Sequence, residues 1–104
     1  MTAAYRLTPR AAQGLTRIAR YADERFGSAV AVRGVDELEP AFEQGAANPG
    51  MGHHREDFAH GADVRFWSVG PTLIAYRARP GWLEILFVER GELDWRDLLR
   101  RHLE

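Results

Sequence analysis

The chain contains no cysteine and no lysine. Without cysteine there is no disulfide framework, no thiolate metal site and no cysteine nucleophile. All 14 basic residues are arginine, so any anion site here uses planar, forked, permanently charged guanidiniums. No apolar run approaches the roughly 18 residues of a membrane span, and residues 1–15 lack the apolar core of a signal peptide. These absences predict a cytoplasmic protein with no membrane association. Charge of one sign is also missing, because 15 acidic residues balance the arginines to a net charge of −1. That balance argues against non-specific coating of nucleic acid. There is no internal repeat, low-complexity tract or linker, so residues 1–104 read as one domain. A chain of this size buries roughly 60–70% of its extended surface, enough for one core.

What is present falls into two halves. Residues 5–7 read as a short first strand. Thr8-Pro9 then starts a helix, with threonine as N-cap and proline in its first turn. Leu15, Ile18, Ala19, Ala22 and Phe26 recur at helical spacing up to Gly27. Ser28 is placed to cap a second helix carrying Val32, Val35, Leu38 and Phe42, with a kink or break expected near Pro40. With at most two residues between them, the helices should form an antiparallel hairpin. Phe26 and Phe42 are expected in its core. Asn48-Pro49-Gly50-Met51-Gly52 ends the helical half, and residues 53–62 read as irregular.

The period then changes from 3.6 to 2. Residues 64–69, 72–78 and 82–88 are strand-like runs separated by Gly70-Pro71 and Pro80-Gly81, which predicts an antiparallel meander. Asp94 can cap a last short helix carrying Leu98, Leu99 and Leu103. The expected fold is α+β: an N-terminal strand, a helical hairpin, a three-stranded meander and a short C-terminal helix, with the helices on one sheet face.

Three constellations bear on chemistry. His53, His54, Asp57 and His60 offer imidazole and carboxylate groups, but adjacent histidines in a polar segment are ordinarily solvated, and no metal or other cofactor is expected. Arg65 and Arg77 lie on neighbouring strands, where one face carrying both would suit phosphate or carboxylate. The plainer alternative pairs them with carboxylates such as Glu84. Phe66, Trp67, Tyr76 and Trp82 stand nearby and serve either as core or as a stacking surface. Glu89, at the end of the last strand, is the one general base placed near the arginines.

Taken in order, these segments resemble the ParE branch of the RelE/ParE superfamily of type II toxins. Tyr5-Arg6-Leu7-Thr8-Pro9-Arg10-Ala11 is similar to its opening strand and helix start. Ile18, Tyr21 and Phe26-Gly27 resemble its first helix, and Leu38 with Ala41-Phe42-Glu43 the second. Asn48-Pro49-Gly50-Met51-Gly52 resembles its Asn-Pro-x-x-Gly turn, and Val64-Arg65-Phe66, Val69-Gly70, Leu73-Ile74-Ala75-Tyr76-Arg77 and Leu83-Glu84-Ile85-Leu86-Phe87-Val88 its sheet. Where the family commonly has histidine, glycine and an arginine-rich step, this chain has Glu89-Arg90-Gly91-Glu92-Leu93-Asp94.

The resemblance implies a non-enzymatic inhibitor of DNA gyrase, neutralised by a ParD-like antitoxin and meeting DNA only through that complex. It implies a target-facing surface of Arg65, Trp67, Arg77, Glu89 and Arg90 at one end of the sheet, with Arg65 beside an exposed Trp67. It implies antitoxin contacts at Leu15, Ile18, Tyr21, Val35, Leu38 and Phe42. Two alternatives are a RelE-like ribosome-dependent messenger-RNA endonuclease using Arg65, Arg77 and Glu89, and a non-toxic antitoxin-binding relic.

Overall fold

A computed structural model describes residues 4–54 and 64–90. Strand β1 (Ala4–Leu7) leads into helix α1 (Pro9–Phe26), and Gly27 alone separates it from helix α2 (Ser28–Ala47). A 3-10 turn (Pro49–Met51) and the two-residue strand β2 (His53–His54) follow. Strands β3 (Val64–Val69), β4 (Thr72–Arg79) and β5 (Trp82–Arg90) complete the described chain. The sheet order is β1-β5-β4-β3-β2, antiparallel throughout except that β1 runs parallel to β5. The α+β class, the hairpin and the meander are as the sequence predicts. The expected helix at Asp94, Leu98, Leu99 and Leu103 lies outside the described residues.

Thr8 shows how the first helix is seated. Its hydroxyl accepts from the Ala11 N–H at 3.1 Å and donates to the Leu86 carbonyl at 2.8 Å. Its own N–H bonds the Ile85 carbonyl at 3.0 Å. One residue thus satisfies a free helix donor and ties α1 to the middle of β5. Further along, a Cβ built on Gly14 would lie 2.0 Å from the Val88 carbonyl oxygen. Only glycine permits α1 to lie this close to β5.

The sheet is buried on both faces. Against the helices pack Ile74, Tyr76, Leu83, Ile85 and Val88, with Ala11, Leu38 and Phe42 from the hairpin. The opposite face gathers Val64, Phe66, Leu73, Ala75, Leu86 and Phe87. A bulge makes this possible: Ile85 opposes Tyr76 and Phe87 opposes Ala75, leaving Leu86 as an extra residue on β5. Leu86 and Phe87 consequently share a face. This explains the nearly unbroken apolar run of β5, which strict alternation would not produce.

Several details differ from the sequence expectation: β4 runs one residue longer than 72–78, to Arg79, and β5 two longer than 82–88, to Arg90. Strand β1 begins at Ala4, and residues 53–54 add a short edge strand in a segment expected to be irregular. Gly27, not Ser28, is the N-cap of α2, with Ser28 already helical. Helix α2 runs through Pro40 without a break. Pro40 and Asp36, whose carbonyl loses its partner, are both exposed, so water can serve that carbonyl. Phe26 is not core: as the last residue of α1 it is 64% exposed.

Candidate functional site

The five residues expected to meet the target do not converge. Arg65 stands opposite Tyr76 and Trp67 opposite Ile74, which places both on the helix-facing side. Arg77 stands opposite Val64 and Glu84, on the other face. The expectation that one face carries both arginines is therefore corrected by the register. Glu89 and Arg90 sit at the far end of β5, where Arg90 opposes Thr72. At roughly 3.3 Å per residue, the path from Glu84 to Arg90 separates Arg77 from Arg90 by about 20 Å along the sheet.

Each of these side chains has an internal partner. The Arg65 guanidinium donates to the carbonyls of Gly52 at 3.1 Å and Gly50 at 3.5 Å. Beside it the Tyr76 hydroxyl donates to the Pro49 carbonyl and accepts from the Gly52 N–H, both at 2.8 Å. Arg65 and Tyr76 thereby pin the Asn-Pro-Gly-Met-Gly turn onto the sheet. Gly52 is fixed by the same contact, since a Cβ there would lie 2.5 Å from the Tyr76 hydroxyl. Trp67 is half-buried against the helix-facing core, with Cζ3 at 3.4 Å from a Cβ built on Gly45. It is not the exposed anchor that the sequence suggested, because α2 crosses over it at a glycine.

On the opposite face Arg77 bonds Glu84 through Nε at 3.1 Å and Nη2 at 2.9 Å, and Arg79 joins the same carboxylate at 3.3 Å. This is the cross-strand pairing with Glu84 that the sequence offered as the plainer alternative. Next to it, Arg6 lies 5.3 Å above the Trp82 ring.

Glu89 is 3% exposed and takes a charge-assisted hydrogen bond from Arg17 of α1. Arg90 covers the face of Tyr21 at 4.0 Å. A buried carboxylate held by an arginine from the neighbouring helix has its charge already compensated. It stands far from Arg65 and Arg77, so the three residues of the nuclease alternative do not assemble. Sequence reasoning missed Arg17, because nothing local links positions 72 residues apart. Of the metal candidates, the His53 backbone pairs with Phe66 and that of His54 with Arg65; Asp57 and His60 lie outside the described residues.

A groove of about 470 Å³ opens between the outer ends of the helices and the β3–β4 turn. Ile18, Tyr21 and Leu38 of the expected antitoxin contacts line it, as do Phe26, Val69 and Pro71. Phe42 is sealed in the core at 1% exposure, and Leu15 packs against the core from its margin. Val35 is half-buried and does not line the groove. On the far side of α2, Tyr5 lies against Phe42 with ring centres 5.3 Å apart. Burial, and then the carboxylates of Glu39 and Glu43, push its phenol above the usual tyrosine value.

The model of a family described as the ParE toxin of type II toxin-antitoxin system, parDE, matches residues 5–95. Among solved structures, a chain of the chromosomal ParDE TA system from P. aeruginosa superposes with a TM-score of 0.73 at 23% sequence identity. The match covers 88% of this chain and 98% of that one. No curated protein matches at the same stringency.

Proposed function

This chain belongs to the ParE toxin family of type II toxin–antitoxin systems, and from that membership we propose that it is a cytoplasmic poison of DNA gyrase held inactive by a ParD-type antitoxin. The family match across residues 5–95 carries this reading. The groove beside the hairpin supports it, because an apolar trough flanked by aromatic residues suits an amphipathic helix. We place the antitoxin there, against Ile18, Tyr21, Phe26 and Leu38. The action is binding rather than bond-breaking: Arg65 and Arg77 lie on opposite sheet faces, and Glu89 is held by Arg17.

The test is induced expression with and without the product of the adjoining small reading frame, alongside a supercoiling assay on purified gyrase. The proposal expects growth arrest relieved by that product, and supercoiling inhibited by the toxin alone. Arg77→Ala and Arg90→Ala, at opposite ends of the sheet, tell which end meets gyrase. Normal supercoiling at saturating toxin, with antitoxin binding intact, identifies a relic that only binds its antitoxin.

A further inference from the structure

Charge is sorted by the sheet rather than mixed over the surface. On β1, Tyr5 packs with the helix-facing core, where the carboxylates of Glu39 and Glu43 act on its phenol. Arg6, the next residue, takes the other face by strand alternation. There the register lines it up with Glu84 of β5 and Arg77 of β4, in one row across three strands. The neighbouring row holds Trp82 and Arg79. Three arginines, one carboxylate and one indole therefore share one end of one face. They leave a surplus of two positive charges there, in a chain whose net charge is −1.

The cations are positioned before any ligand arrives. Arg77 donates to Glu84 Oε1 through Nε and Nη2, and Arg79 donates to the same oxygen through Nε. One carboxylate oxygen thus orients two guanidinium forks, and most of their N–H groups remain for another acceptor. Arg6 lies 5.3 Å above the Trp82 ring and pairs with no carboxylate among the described residues. Arg6 and Arg79 are exposed, while Arg77, Trp82 and Glu84 are half-buried. Adjacent strands lie about 4.8 Å apart, so Arg6 and Arg77 flank Glu84 across about 10 Å. That is wider than any single carboxylate. A strand of duplex DNA carries one phosphate per about 3.4 Å of axis and presents about three along such a row. Guanidinium forks also match phosphate oxygens two at a time.

We propose that Arg6, Arg77 and Arg79 form a site that binds the phosphate backbone of duplex DNA directly, without reading its sequence. Glu84 and Trp82 hold the arginines in place, and the acidic residues of α2 lie on the other side of the sheet. The balanced charge of the whole chain argued against coating of nucleic acid, but the register restores a local site for it. This contact is separate from any made with DNA through an antitoxin. The phosphate site rests on the geometry alone. The choice of DNA over RNA rests on the gyrase reading, because gyrase holds a duplex for the toxin to meet.

The test titrates the protein into short fluorescent DNA duplexes of two unrelated sequences over a salt series. An RNA duplex and DNA-free gyrase serve as further arms. The variants are Arg6→Ala, Arg79→Ala, both together, Glu84→Gln, and Arg33→Ala on α2 as a control, each melted beforehand. The wild type should bind both DNA sequences alike, with log affinity falling against log salt at a slope of about −2 to −3. Arg6→Ala and Arg79→Ala should each weaken binding by about threefold to tenfold at low salt and reduce the slope by about one. Glu84→Gln should tighten binding, since a competing negative charge is gone. Arg33→Ala should bind as the wild type does. Should Glu84→Gln fail to fold, the arginine variants decide the matter alone.

No binding to DNA at low salt, or an unchanged slope in the double variant, overturns the proposal. An equal loss in Arg33→Ala moves the site to the hairpin and overturns it as well. Tighter binding of the RNA duplex overturns the choice of DNA. Binding to DNA-free gyrase that the patch variants lose, with no binding to DNA, makes the partner an acidic protein surface and defeats the proposal. Normal supercoiling beside intact, arginine-dependent DNA binding defeats the gyrase reading and leaves the phosphate site standing.

Discussion

The guanidinium of Arg17 in the middle of α1 holds the carboxylate of Glu89 at the end of β5. The carboxylate side chain is 4% exposed while that of the arginine is 49% exposed. The pair is thus asymmetric, with one charge in the interior and its counter-charge reaching in from the surface. Removing the arginine strands a buried charge, whereas neutralising the carboxylate leaves an amide that the same arginine can still bond. Arg17→Ala should therefore cost about 1–3 kcal/mol, below the value for a fully buried pair because water reaches the vacated space. Glu89→Gln should cost less than about 1 kcal/mol. Thermal or urea unfolding of the two variants checks the order, and a larger loss in Glu89→Gln contradicts it.

The same relationship bears on messenger RNA. Attack by a ribose hydroxyl needs a base, an acid and charge stabilisation at one phosphate. Glu89 is engaged by Arg17, and the other two candidates lie on opposite faces of the sheet. Transcripts should remain intact when the protein is induced, as read by primer extension. Ribosome-dependent cleavage that disappears in Glu89→Gln without loss of fold would assign the chain to the nuclease branch.

The turn between the helical and sheet halves depends on Tyr76. Tyr76→Phe leaves the Gly52 N–H and the Pro49 carbonyl without their partner and should cost about 1–3 kcal/mol. Arg65→Ala should cost about 1 kcal/mol through its lost bonds to the Gly52 and Gly50 carbonyls. Amide exchange at Gly52 should quicken in both variants.

Two phenylalanines of the hairpin should behave oppositely. Phe42→Ala opens a cavity in the core and should cost ~3–5 kcal/mol. Phe26→Ala should shift stability by no more than about 0.5 kcal/mol, as at ordinary surface sites, while weakening the antitoxin complex. Denaturation and binding measured on the same two variants separate these effects. A Phe26→Ala protein that melts early and binds normally reverses the assignment.

Alkaline titration of wild type against Tyr5→Phe reports on Tyr5. With no lysine or cysteine in the chain, tyrosine is the side chain that loses its proton above neutral pH. Burial, with Glu39 and Glu43 behind it, makes the folded state hold the Tyr5 proton more tightly than the unfolded chain does. The resulting stabilisation is complete below the unfolded phenol value of about 10 and is lost as pH rises through the higher folded value. Tyr5→Phe should unfold less steeply than wild type above that pH in urea titrations. An unchanged slope shows that the phenol is as free in the folded state as in the unfolded one.

Much of the architecture was legible because local signals agreed. Thr8-Pro9 starts a helix wherever it occurs before an apolar 3.6-residue pattern, and the Gly-Pro and Pro-Gly pairs leave little but tight turns between short strands. The helix through Pro40 was not legible, since proline's cost depends on whether the deprived carbonyl faces water. Phe26 was misplaced for a related reason: it continues the apolar stripe of α1 in sequence, but burial depends on what packs against it, and at the last residue of α1 it is left 64% exposed. The groove was half legible, with Ile18, Tyr21 and Leu38 on its wall and Phe42 sealed behind it.

Sequence alone determined the α+β class, the hairpin, the meander and the family, because each follows from short-range periodicity, turn chemistry and the order of segments along the chain. The partners of its charged residues were decided only by the tertiary structure. Whether Arg65 and Arg77 share a face turns on strand register, and a shift of one residue reverses every side chain. Whether Glu89 is a base or an anchored charge turns on Arg17, brought to it by the one place where Gly14 lets α1 close on β5. Such pairings join residues far apart in the chain, and their geometry exists only once the sheet and the helices have packed.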